Sequence, residues 1–296
     1  MLDRAMAGGI SSLAIQLAHP IDLMKTRMQV SDPKGHSNVP VFIKYSDLAL
    51  HIYRTEGFRA LYKGVTFSVI PNLLITGYFV TNPLFKELLD HLPFFHKYPN
   101  IKILTSNLFL SAFMAFVATP LYVLKTRKLT DTNRFEESKS IREIKNEIKK
   151  TMGRRGFLRG TTMTFIIGIN GGVTTATIDL LKSNLRLENH QSMWLFVIGG
   201  AAKVMTSIVF YPASTIRARM EQNQIFSGLE GYKYNGVADC ARKTFAAEGW
   251  QGFYKGFLAN ALRGFITTGS IMFVYTAVYD RIQAFRHVKT SPESLF

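Results

Sequence analysis

A nine-residue stretch, HPIDLMKTR at 19–27, recurs as TPLYVLKTR at 119–127 and as YPASTIRAR at 211–219. A second element follows each copy: EGFRALYKG at 56–64, MGRRGFLRG at 152–160 and EGWQGFYKG at 248–256. From proline to closing glycine the distance is 44, 40 and 44 residues. Two linked elements, each present three times at near-constant spacing, make the chain a triplicated unit, so its fold must set three equivalent substructures around one another. Each unit parses alike. A long apolar helix ends at the proline motif, and a polar loop follows. Next comes a short amphipathic piece, Ser46–Thr55, Lys139–Thr151 or Val237–Ala247, and the glycine element then opens a second long apolar helix.

Charge and hydropathy decide the surroundings of those helices. The net charge of +16 invites a nucleic-acid partner. Its distribution speaks against one, because Val65–Phe85, Ile103–Leu124 and Thr161–Ile178 are uncharged and the basic residues fall between them. A bilayer core asks for about 20 apolar residues per helix. The expected architecture is therefore an all-α membrane protein with six transmembrane helices. Its three repeats span 1–92, 101–188 and 191–287, and its three short amphipathic helices lie on the face opposite both termini. The single cysteine, Cys240, excludes an internal disulfide and a multi-cysteine metal site. The first apolar segment starts near Ala5 and runs too far for a signal peptide. No nucleophile–base pair, paired carboxylates or metal-ligand spacing stands out, so the expectation is no enzyme, no metal and no cofactor.

Both elements resemble the mitochondrial carrier family, whose motif is Pro-x-[Asp/Glu]-x-x-[Lys/Arg]-x-[Lys/Arg], then [Asp/Glu]-Gly-x-x-x-x-[aromatic]-[Lys/Arg]-Gly, in triplicate. The resemblance implies a bundle of three pseudosymmetric repeats around a water-filled cavity, with odd helices kinked at Pro20, Pro120 and Pro212. It also implies a matrix-side gate in which the acid of one repeat pairs with the base of the next. Asp22 would pair with Lys125. The other two acids are missing, with Tyr122 standing opposite Arg217 and Ser214 opposite Lys25, so one ion pair is expected where the family has three. Gln29 is expected to brace this gate. Arg27, Arg127 and Arg219 are expected to meet backbone carbonyls or lipid phosphate. The outer gate is thinner still: Asp179 and Lys182 on helix 4, Asp280 and Gln283 on helix 6, and Asn82 on helix 2, with Lys182 reaching Asn82 and Asp179 reaching Gln283.

Finer details resemble the folate/FAD branch, close to the NAD and pyrimidine-nucleotide carriers. They are HPIDLMKTRMQVSD at 19–32, the aromatic Tyr122, and YPASTIRARMEQ without an acid two residues after the proline. That branch carries a tryptophan about where Pro71–Tyr78 lies, and this chain has none there. Lys203 sits inside an apolar run, where a charge is costly and should face the cavity. Arg263 matches the family's contact position on helix 6. Two cations in one cavity call for an anion, and Asn72, Gly168 and Asn170 are the other candidate contacts. The expected function is alternating-access transport of an anionic, nucleotide- or cofactor-like solute across the mitochondrial inner membrane. The expected protein is a functional monomer with cardiolipin at its matrix-side helix ends. The missing acids leave open a non-transporting scaffold or insertion factor, and a carrier of small carboxylates is a further alternative.

Overall fold

The computed structural model describes residues 19–31, 44–67, 81, 84–85, 87–91, 99–134, 136–185, 192–222 and 234–270. Among them every regular element is helical. The first helices are α1 (His19–Val30), α2 (Tyr45–Glu56), α3 (Pro99–Leu129) and α4 (Ile141–Met152). The remainder are α5 (Thr161–Leu185), α6 (Ser192–Gln222), α7 (Val237–Glu248) and α8 (257–270). Tight 3-10 turns, Phe58–Tyr62, Arg154–Leu158 and Trp250–Tyr254, follow α2, α4 and α7. Among the described residues one helical segment, Met193–Gln222, is long and apolar enough to cross a membrane.

The long helices do not end at their prolines. Pro120 lies inside α3 and Pro212 inside α6, and each helix runs on for nine or ten residues. Proline removes a donor and strands the carbonyl four residues earlier. For Pro212 that carbonyl belongs to Ile208, and the Tyr254 hydroxyl donates to it at 3.1 Å. The turn of the glycine element thus satisfies the defect that the proline creates.

The amphipathic helices α2, α4 and α7 fall within one or two residues of their expected positions. α4 begins later than the Lys139 expected, because Ser140 and Glu143 form a reciprocal capping box that places the helix start at Ile141. In each repeat the amphipathic helix buries its apolar side on a small core. Leu48 and Ile52 pack with Leu23, Ala60 and Leu129. Ile144 and Ile148 pack with Val123 and Leu124, and Cys240 with Ile216, Met220 and Phe253. The two glycines that bracket each 3-10 turn have positive φ in all three repeats. Gly256 shows why no side chain fits there: a Cβ would sit 2.9 Å from the Tyr211 hydroxyl and 3.0 Å from the Lys25 carbonyl.

Three arginines, each seven residues after its proline, tie the repeats into a closed ring. Arg27 Nε donates to the Leu129 carbonyl at 2.9 Å, Arg127 Nε to the Glu221 carbonyl at 3.3 Å, and Arg219 Nε to the Gln29 carbonyl at 3.0 Å. Each accepting residue is nine positions after its own proline, so the ring runs from repeat 1 to 2, 2 to 3 and 3 to 1. These side chains are buried, which excludes the alternative that they meet lipid phosphate. In repeats 1 and 3 the acid of the glycine element completes a triad. Glu56 takes both Arg27 and Lys63, the latter at 2.6 Å. Glu248 takes Arg219 at 2.8 Å and Lys255 at 2.7 Å. In repeat 2 Met152 stands at this position, and its Sδ accepts from Arg127 Nη2 at 3.3 Å.

Removing one partner of a buried ion pair costs about 3–5 kcal/mol. Glu56→Gln, which strands Arg27 and Lys63, is expected to lower the unfolding temperature of the detergent-purified protein by several degrees. Met152→Glu, which restores the triad, is expected to raise it. Burial pushes the Cys240 thiol up to about 11, so the thiolate is scarce at neutral pH. A maleimide should label the folded protein slowly and the heat-unfolded protein at once, as followed by fluorescence.

Candidate functional site

The ring of arginines holds the ends of α1, α3 and α6 side by side, and this sets the residues two and five positions after each proline against one another. At the first junction Lys125 Nζ donates to Asp22 Oδ2 at 2.5 Å, with both side chains largely buried. At the second, the Arg217 guanidinium lies over the Tyr122 ring, 4.5 Å from its centroid. Arg217 also has Glu221 Oε1 at 3.3 Å, one turn along its own helix. At the third, Lys25 Nζ lies 5.9 Å from the centroid of the Tyr211 ring. Ser214 is held by Gln29 instead, whose Nε2 donates to its Oγ at 3.3 Å.

The two bases without an opposing acid therefore each meet an aromatic face, Arg217 that of Tyr122 and Lys25 that of Tyr211 beside Pro212. A desolvated cation over an aromatic ring gains about 2 kcal/mol, and it keeps its net charge because the ring neutralises none of it. Tyr211 and Glu221 belong to this cluster and did not stand out in the sequence. The signal for Tyr211 was its place directly before Pro212, where His19 precedes Pro20. Both side chains reach the same carbonyl of the glycine element: His19 Nε2 lies 2.8 Å from the Lys63 carbonyl, and the Tyr211 hydroxyl donates to that of Lys255 at 2.8 Å. Glu221 sits nine residues after its proline, as Gln29 does, and accepts from Thr126 Oγ1 at 2.5 Å.

Arg263, on α8, reaches into the same cluster, with its Nε 3.6 Å from Asp22 Oδ1. Lys203, on α6, lies beside it. A Cβ on Gly264 would come within 3.1 Å of Lys203 Cγ, so this glycine lets the lysine stem lie against α8. Asn170 is placed differently from a cavity contact. It is buried, its Oδ1 accepts from Thr174 Oγ1 at 3.1 Å, and Thr174 meets Thr206 Oγ1 of α6 at 2.8 Å. Its carboxamide thus lies next to the Thr174–Thr206 contact between α5 and α6. Gly168 is exposed on α5. Asp179 and Lys182 lie one turn apart on α5. Asn72, Asn82, Asp280 and Gln283 lie outside the described residues. Among the described residues no group of three His, Cys, Asp or Glu could hold a metal ion.

If the Tyr122 ring stabilises Arg217, its face and not its hydroxyl should matter. Tyr122→Phe is expected to leave the unfolding temperature unchanged, and Tyr122→Leu to lower it by a few degrees, for a loss of about 1–2 kcal/mol. Equal behaviour of the two variants would show that the ring face does not hold Arg217.

The profile described as "Mitochondrial carrier protein" matches residues 1–92, 96–189 and 188–286. Among similar proteins is "Folate transporter 1, chloroplastic" of Arabidopsis thaliana, 26% identical over 95% of this chain and 94% of its own length. "Nicotinamide adenine dinucleotide transporter 2, mitochondrial" of the same plant is 28% identical over 96% of this chain and 78% of its own length. "Nicotinamide adenine dinucleotide transporter 1, chloroplastic" is 28% identical over 100% of this chain and 96% of its own length. The triplicated match, covering nearly the whole sequence, shows that the chain belongs to the mitochondrial carrier family.

Proposed function

We propose that this chain is a secondary transporter of an anionic, cofactor-like solute, and that it works in the mitochondrial inner membrane as a functional monomer. The observation that carries the proposal is the convergence of Arg263 and Lys203 beside the cluster of Asp22, Lys125, Lys25 and Arg217. Cations brought together away from water need an anion, and a guanidinium takes phosphate or carboxylate with directed hydrogen bonds. The names of the folate and NAD transporters among its relatives support a solute of that kind.

In this proposal repeats 1–92, 101–188 and 191–287 each contribute two transmembrane helices to one transport domain. The Asp22–Lys125 pair, the two cation–aromatic contacts and the Gln29–Ser214 bond form the matrix gate. Asp179, Lys182, Asp280, Gln283 and Asn82 form the outer gate. Pro20, Pro120 and Pro212 mark where the odd helices bend as the gates exchange, and cardiolipin seals the matrix-side helix ends. The stripes of exposed Phe109, Phe113 and Phe116 on α3, and of Trp194, Val197, Met205, Ile208 and Val209 on α6, suit hydrocarbon. No bond is made or broken in the solute. Transport needs only that it bind the two gate states differently.

Met152 and the two missing gate acids favour a second reading, a carrier fold that no longer transports. Uptake by proteoliposomes separates the two. The unchanged protein is expected to accumulate at least one of NAD, FAD, folate or a nucleotide. Arg263→Gln is expected to reduce that uptake by about 10- to 100-fold, the equivalent of one lost charge-assisted hydrogen bond of roughly 1.5–3 kcal/mol. Undiminished uptake by Arg263→Gln removes Arg263 from the site, and no uptake of any anion by a folded protein favours the non-transporting reading.

A further inference from the structure

The charge of the central cluster is unbalanced among the described residues. Lys125, Lys203, Arg217 and Arg263 supply four cations, with Lys25 beside them, and Asp22 and Glu221 supply two carboxylates. Glu221 is committed to Arg217 and to the Thr126 hydroxyl. Asp22 is therefore the carboxylate that serves Arg263, and it serves Lys125 as well. Its two oxygens divide the work unequally. Oδ2 holds Lys125 at 2.5 Å, whereas Oδ1 stands 3.6 Å from Arg263 Nε, beyond hydrogen-bond length. The lysine is gripped, and the arginine is only neutralised at a distance.

We propose that Asp22 is the built-in competitor of the transported anion, and that the solute which displaces it from Arg263 carries at least two negative charges. The proposal rests on the anion-carrier reading of the same site. In the empty protein Asp22 Oδ1 is the counter-charge of Arg263. An incoming phosphate or carboxylate at hydrogen-bond distance from the guanidinium outcompetes a carboxylate held at 3.6 Å. One charge would merely replace Asp22. A second is needed for Lys203, which lies alongside Arg263 with no carboxylate ion pair among the described residues. The exchange also couples binding to opening. With Arg263 turned to the solute, α8 loses its ionic link to α1, and the other two junctions are held by aromatic faces and by side-chain hydrogen bonds, Gln29 to Ser214 and Thr126 to Glu221, with no ion pair between helices at either junction among the described residues. With Tyr122 and Ser214 in place of acids and Glu221 committed to Arg217, Asp22 is left as the pivot between the solute site and the gate.

The test measures the affinity of inorganic pyrophosphate for the detergent-purified full chain at constant low ionic strength, by calorimetry, with acetate as the single-charge comparison. Asp22→Asn is expected to tighten pyrophosphate binding by about tenfold. Lys125→Met, which breaks the same gate bond but leaves Asp22 free to close on Arg263, is expected to weaken it. In the Arg263→Gln background, Asp22→Asn is expected to bring no gain. Asp22→Ser takes the place of the asparagine variant if that one does not fold. If Asp22 serves only the gate, the Asp22 and Lys125 variants shift affinity in the same direction, and the inference is overturned. If it acts only through its general field, its removal tightens binding equally without Arg263, which overturns the inference too. Acetate binding as tightly as pyrophosphate overturns the two-charge requirement. Each of these results leaves the anion-carrier reading standing, whereas absence of pyrophosphate binding to the unchanged chain overturns that reading along with this one.

Discussion

Three guanidinium-to-carbonyl hydrogen bonds, from Arg27, Arg127 and Arg219 to the next repeat, fix the geometry on which the rest depends. A helix C-terminus leaves its last carbonyls without intrahelical partners, and a charged donor is the strongest group that can satisfy them. Because every arginine reaches across to a neighbour, no repeat completes its own helix end. The ring closes only when all three are present. This gives a physical reason for the triplication: the unit is self-complementary only as a set of three.

The ring is conserved in form across the three repeats even where the side chains around it are not. Repeats 1 and 3 back their arginine with a glutamate and a lysine, and repeat 2 substitutes Met152. The three junctions inside the ring show the same tolerance. One junction is an ion pair, and two place a cation on a tyrosine face. The substitution has an electrostatic consequence. An acid both holds and neutralises its base, whereas an aromatic ring only holds it. The described residues of the cluster therefore hold more cations than carboxylates.

Much of the fold was legible in the sequence, because the signals that set it are local. The amphipathic periodicity located α2, α4 and α7 to within a residue or two. The paired glycines marked the 3-10 turns, since only glycine accepts both the positive φ and the close approach seen at Gly256. Pro120 and Pro212 lie inside their helices, and α3 and α6 continue past them. At Pro212 the stranded carbonyl finds another donor. The Tyr254 hydroxyl that serves Ile208 comes from 46 residues away, beyond the reach of any local pattern.

The sequence by itself determined which residues lie at equivalent stations, since spacing from each proline is a property of the chain alone. The family resemblance added the pairing of Asp22 with Lys125 and the contact position of Arg263, and Lys203 stood out because a charge in an apolar run is too costly to be idle. Tertiary structure decided what fills the stations that lack an acid. Tyr211 and Tyr122 face their cations because neighbouring repeats set them there. Likewise Asp22 stands between Lys125 and Arg263 because α1 packs where two repeats meet it. Asn170 is buried on α5, where its Oδ1 accepts from Thr174, the residue that meets Thr206 of α6. Such contacts join residues that lie far apart along the chain or on neighbouring helices, and their energies depend on direction and distance in space, which no linear spacing encodes.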